Sequence, residues 1–369
     1  MTNTTGAMGA DLVTGAASST PHGPIEPVEF TGKTGEWFGI WIVNLLLTIL
    51  TLGIFSAWAK VRKEQYFKRN TSIGGRNFDY HATGGQILIG RLIIAAGFLA
   101  LNLAASFAIG LYFILILALV AVLPWLIVRS LRFNARVTSW SNVRFDFAET
   151  YGNAFQIFFL APIGVALTAY TTAPLLTRAR TRFAVNGHSL GDHRFHFDSE
   201  IGPFYKAFGI ALGIGFLATV VAMSVWGGAF TNTIAMAGEE VNDSAIIGAF
   251  IAMYAILLLG IVPAFLLYGA LLRNHIYAST VLEGGHRLVS TINPWKLVWI
   301  KISNAFAAAF TLGLALPWTQ IRLARYLAEH TGVQPNGSLD DIRGRIEAQA
   351  SAVGDAYTDF EGLDLGLPI

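Results

Sequence analysis

The densest cluster of side chains able to do chemistry is His188, Asp192, His193, His196 and Asp198. Imidazole and carboxylate together can ligate zinc or another divalent ion. The spacing argues against such a site here. His193 and His196 lie three apart in what reads as a strand, so they face opposite sides. No metal site is expected. The chain has no cysteine, so there is no disulfide framework and no thiolate site. It carries no Walker-type loop, nucleophile elbow or His-Glu-x-x-His string. The sequence predicts no enzyme and implies no cofactor.

A second set of polar residues sits inside apolar segments: Asn44, Arg91, Asn102, Lys301 and Asn304. Polar groups at such places either serve a ligand or hold helices together. Arg91 and Lys301 lie near segment starts and can reach back to the interface. Asn44 and Asn304 recur at matched positions. Asn44, Thr51-Leu52-Gly53, Trp58 and Arg62 have the same spacing as Asn304, Thr311-Leu312-Gly313, Trp318 and Arg322. The first and last apolar segments are thus expected to be copies of one unit. Cross-helix hydrogen bonding is the favoured role for the two asparagines. Trp58, Arg62, Trp318 and Arg322 are expected at the interface with lipid headgroups.

The elements that position these residues follow from hydropathy. Hydrophobic residues make up 54% of the chain and charged residues only 13%, about half the charge of a soluble domain. Mean hydropathy is +0.53. Apolar segments fall at roughly 37–59, 86–107, 109–128, 153–177, 203–226, 244–272 and 295–318. The run from Gln86 to Val128 has Arg91 as its only charge and is long enough for two crossings of a bilayer. No basic n-region with an apolar h-region opens the chain. Residues 1–26 read as a disordered tail, 27–330 as a polytopic membrane domain, and 331–369 as an acidic tail with a short helix begun by Ser338.

The polar stretches repeat. Gly74-Gly75, Ser141-Asn142, Gly191-Asp192 and Gly284-Gly285 are each followed by alternating polar and apolar residues. Such dipeptides favour two-residue hairpin turns, so four β-hairpins are predicted, with a lone strand at Val28–Phe30. Val28, Phe78, Phe145 and Phe195 each begin an apolar–x–aromatic triplet, and Gly35, Gly85, Gly152 and Gly202 follow at matched distance.

Within the first unit, Phe30-Thr31-Gly32, Gly35-Glu36-Trp37-Phe38, Trp41-Ile42-Val43-Asn44, Thr51-Leu52-Gly53-Ile54 and Trp58-Ala59-Lys60-Val61-Arg62 resemble the YjgN-like family, and Gly90-Arg91-Leu92 fits as well. Ala57 stands where that family is expected to have proline. The resemblance covers most of 28–330. It implies a bacterial inner-membrane protein of unknown function.

Charge and repeats then set the topology. Basic residues gather in the hairpin stretches, while Gly227–Asp243 holds Glu239, Glu240 and Asp243 and no basic residue. The positive-inside rule puts the hairpins in the cytoplasm. If all hairpins share one side, segments 37–59 and 153–177 must enter and leave on one face. Breaks are expected at Thr51-Leu52-Gly53 and near Pro162, Gly164 and Pro174. The expected fold is mainly helical and polytopic, with four full spans, re-entrant segments and a small cytoplasmic sheet. A small-solute transport or channel role is expected, or alternatively membrane scaffolding with anionic lipid headgroups as partners. No nucleic-acid partner is implied.

Overall fold

In the computed structural model, residues 23–237 and 243–337 are described. The chain is built from five successive β-α-α-β units. The first comprises β1 (Glu26–Phe30), α1 (Thr34–Leu50), α2 (Ser56–Arg69) and β2 (Thr71–Ile73). The second comprises β3 (Arg76–Tyr80), α3 (Gly84–Phe107), α4 (Ile109–Arg136) and β4 (Thr138–Trp140). The third holds β5 (Val143–Phe147), then α5 (Tyr151–Phe155), a π-helical turn (Gln156–Leu160) and α6 (Ala161–Leu167), and returns through α7 (Ala173–Gly187) to β6 (His188–Leu190). The fourth has β7 (His193–Phe197), α8 (Gly202–Ala237), α9 (Asp243–Ala278) and β8 (Thr280–Leu282). The fifth has β9 (His286–Ser290), α10 (Pro294–Phe310), α11 (Leu316–Glu329) and β10 (Thr331–Gln334).

The ten strands close into one antiparallel barrel, each pairing with its sequence neighbour and β10 with β1. This corrects the expected small hairpin sheet. The four hairpins and the strand at Val28–Phe30 are present. The additional strand is β10, which lies past residue 330 and bridges β9 and β1. Closure removes both sheet edges, whose unpaired amides would otherwise invite pairing with other chains. Three turns are the two-residue ones the dipeptides predict, with φ of 57° and 70° at Gly74 and Gly75 and 49° and 68° at Ser141 and Asn142; the fourth is a three-residue loop, in which Glu283, Gly284 and Gly285 lie between the paired Leu282 and His286.

The bore is filled. Val28, Phe78, Phe145, Phe195 and Leu288 stand opposite Ile73, Trp140, Leu190, Leu282 and Val333 in register. Phe78 stacks on Phe145 at 6.4 Å and Phe145 on Phe195 at 6.5 Å. The strands carrying each pair are separated by one other strand, about 9.5 Å across two ladder spacings. Rings closer together than their backbones must converge, so they point inward. Below this belt, Phe147 and Phe197 are fully buried and meet Phe183 and Phe204 edge-on, joining barrel to helices.

Every helix pair starts and ends at the barrel, so all strands lie at one end of the helices. The pairs differ in reach. Among the described residues, four helices have spanning length and composition: Gly84–Phe107, Ile109–Arg136, Gly202–Asn232 and Phe250–Ala278. Units one, three and five reverse early. From Lys60 to Leu52, from Arg178 to Tyr170 and from Arg322 to Leu312 the apolar reach is about 12–15 Å, roughly one leaflet of a 30 Å core. The reversals use non-glycine residues with positive φ: Leu52 and Leu312 (50° and 49°, each followed by a glycine), and Ala169 and Tyr170 (48° and 64°). Leu52 and Leu312 are each 95% exposed, the signature of a tip that belongs in hydrocarbon.

The first break thus falls where the sequence placed it. In segment 153–177 it falls at Thr168–Thr172 rather than at a proline. Pro174 sits in the first turn of α7, where proline's missing amide costs nothing, and Pro162 directly follows the π-helical turn inside the continuous helical run Tyr151–Leu167 without breaking it. The turns also satisfy themselves. Thr51 Oγ1 accepts the amide of Phe55 at 2.9 Å and donates to Leu47 O at 2.7 Å; Thr311 does the same with Ala315 and Ala307 at 2.9 and 2.7 Å. These bonds come from the turns' own threonines and not from neighbouring helices. Glu239 and Glu240, residues 1–22 and the tail from Ser338 lie outside the described residues.

Candidate functional site

The repeated asparagines become clasps. Asn44 on α1 and Asn304 on α10 are 5% and 9% exposed. Arg62 on α2 donates to Asn44 Oδ1 at 3.2 Å, and Arg322 on α11 donates to Asn304 Oδ1 at 3.0 Å. The fifth unit adds Asn304 Nδ2 to Thr319 O (3.0 Å) and Arg322 to Ser303 Oγ (2.8 Å). Each arginine also faces a ring, Arg62 over Phe55 and Arg322 over Trp318. The matched spacing therefore reports a matched bond between the two arms of a short helical hairpin.

Trp58 and Arg91 join the first two units. The Trp58 ring occupies the space a Cβ on Gly84 would need, and Arg91 donates to Ser56 Oγ. Asn102 donates to Phe98 O of its own helix at 2.8 Å; it is not brought to the other polar residues. The histidine cluster is dispersed: His188 bonds Ala184 O, His193 bonds Asp192, and His196 is exposed.

What the sequence did not single out is three clefts near the barrel end of the helices. One, of about 310 Å³, lies where the fifth unit meets the first, among Lys296, Trp299, Trp318, Arg322, Arg325 and Thr34. A second, about 470 Å³, lies between α4 and α5 and takes in Trp125, Arg129, Arg132, Arg136 and Tyr151. The third, about 410 Å³, lies between the arms of the third unit, with Asn153, Ile157, Arg178, Arg182 and Phe183. Glu149 borders both the second and the third. Arginines at 129, 132 and 136, and at 178 and 182, share helix faces; that spacing was the available signal, but only the fold sets them opposite a second arm.

Two further ion pairs repeat beneath the barrel: Arg69 with Asp79 and Arg136 with Asp146, both at 2.8 Å. Burial would raise each carboxyl, but hydrogen bonds from the arginine and from the next backbone amide outweigh it and hold Asp79 and Asp146 below the usual carboxylate range.

Residues 25–360 match the family described as "Bacterial protein of unknown function (DUF898)". The chain is 28% identical over 354 residues to "Inner membrane protein YjgN" of Salmonella typhimurium (strain LT2), covering 85% of this chain and 89% of that one. It is 25% identical over 366 residues to the protein of the same name from Escherichia coli O157:H7, covering 86% and 90%. No solved structure matches. These descriptions name a membrane and no activity.

Proposed function

Since the chain belongs to this family of bacterial proteins of unknown function (DUF898) and is an inner-membrane protein, its role has to come from its own geometry, and we propose that it is a lipid-engaging membrane scaffold. One observation carries this reading: three half-depth helical hairpins alternate with two spanning pairs around a barrel whose bore is packed with aromatic side chains. Ten helical arms enter the leaflet next to the barrel and only four cross to the other. Such a body displaces more area in the near leaflet and favours bending. The barrel faces the cytoplasm, because Lys68, Arg136, Arg182 and Arg287 all lie toward it and basic residues are held inside. Arginine- and tryptophan-lined clefts at the same level suit anionic headgroups.

The alternative of solute transport would need a polar route, and the aromatic belt along the barrel axis supports the lipid-facing reading over it. Reconstitution into vesicles containing phosphatidylglycerol decides between them. Rising protein density is expected to narrow the vesicles or draw them into tubules. Spherical vesicles of unchanged size, together with protein-dependent solute flux, would replace the scaffold by a transporter. Leu52→Asp with Leu312→Asp, which puts charge on two tips, is expected to abolish the reshaping.

A further inference from the structure

We propose that the cleft between the arms of the third unit is a binding site for a phosphate-bearing anion, with Arg178 as its principal ligand. The idea rests on the lipid-engaging reading only for the source of that anion. Arg178 Nε is shut off from solvent and has no hydrogen-bond partner, and Arg178 enters no ion pair among the described residues. The residue is only partly buried, but a guanidinium N–H shut off from water without an acceptor is costly, and the cost is removed when an anion accepts from it. Other cleft groups are already engaged. Arg182, one turn on, pairs with Asp198 at 2.8 Å, Asn153 Nδ2 donates to Glu149 Oε2 at 2.8 Å, and Asn186 Oδ1 accepts the Phe197 amide at 2.7 Å. Arg178 is the group left over, and it lines a space of about 410 Å³.

The cleft is shaped for such a ligand. One wall is the π-helical turn Gln156–Leu160, which carries the lining residue Ile157. A turn of this kind widens the helix and is frequent at functional sites. Ile157, Leu175 and Phe183 supply an apolar side beside the arginine, so a headgroup and the start of its acyl chains both find matching surface. Depth agrees. Arg178 stands about 12 Å from the hairpin tip at Tyr170, which puts it near the edge of the hydrocarbon core when the tip reaches the midplane. Planar, forked donors suit phosphate oxygens.

The test uses the full chain, stripped of lipid in mild detergent and titrated with phosphatidylglycerol, phosphatidylcholine or inorganic phosphate, with retention read by native mass spectrometry. Arg178→Gln is expected to weaken phosphatidylglycerol retention about tenfold or more, as loss of a charge-assisted bond does. Arg287→Gln, an exposed strand charge, is expected to leave it unchanged. Glu149→Gln keeps an acceptor for Asn153 but removes the negative charge beside the cleft, so retention tightens; a merely structural Glu149 would not tighten it. Excess inorganic phosphate failing to displace the lipid identifies a headgroup, and displacement identifies a soluble phosphate compound. Wild-type retention in Arg178→Gln overturns the site, as does weaker retention in Glu149→Gln, which would mark a cation site. Should Arg178→Gln not fold, Arg178→Lys keeps the charge without the fork and is expected to lose part of the affinity. Vesicle reshaping is read separately: a variant that loses the lipid yet still narrows vesicles leaves the scaffold standing.

Discussion

Arginines do opposite things here, and the difference is what each finds within reach. Arg62 and Arg322 are consumed by a neighbouring asparagine, so they act on the protein itself. Arg178 finds no such partner. Asn44→Ala and Asn304→Ala should each destabilise the fold by about 1.5–3 kcal/mol, the worth of a hydrogen bond to a charged group left without its acceptor. A double-mutant cycle of Asn304 with Arg322, read by thermal unfolding in detergent, is expected to show coupling; additive losses would mean that the clasp contributes nothing. The asparagines were legible because two copies of one spacing stood at the two ends of the chain. Arg178 was visible only as one of several basic residues, because its significance depends on a second arm that no spacing reveals.

At the level of the element, the turns and the ion pairs beneath the barrel carry separable expectations. Thr51→Val and Thr311→Val keep shape but remove the hydroxyl that holds the reversing backbone. Each should cost about 1 kcal/mol, and more where no water reaches the freed amide. Asp79 and Asp146 have carboxyls lowered on folding. Such groups stabilise above the unfolded carboxylate range near pH 4, and the benefit is lost as pH falls through their folded values. Stability should therefore fall more steeply toward acid in the intact protein than in Asp79→Asn with Asp146→Asn, whose stability is lower at neutral pH and converges on the intact protein's at low pH; both pairs are partly exposed, so the effect is modest. The hairpins could be read from the sequence because a left-handed two-residue turn admits few residue types. The break in the third unit could not, because proline marks a helix start as readily as an interruption. A threonine-rich run, Thr168 to Thr172, does the reversing there.

For the molecule as a whole, sidedness is the first thing to measure. With no native cysteine, single cysteines at Lys68, Arg136, Arg182 and Arg287 are expected to resist an impermeant maleimide in intact cells, and one at Glu239 to react. Labelling at Arg182 without Lys68 would put the hairpins on opposite faces. Closure itself was not legible: β10 is a Thr-Gly-Val-Gln strand without a turn or an aromatic triplet, and nothing local says that it meets β1. That same seam governs how the protein can be made. Every other ladder joins strands that are neighbours in the chain, so the sheet can grow strand by strand as translation proceeds. Its first edge, however, waits for the last strand. About 300 residues separate them, some 15 to 60 s of synthesis at ordinary rates. Through that interval the nascent protein carries a sticky open edge at the membrane surface, and a chain ending at His330 would carry it permanently.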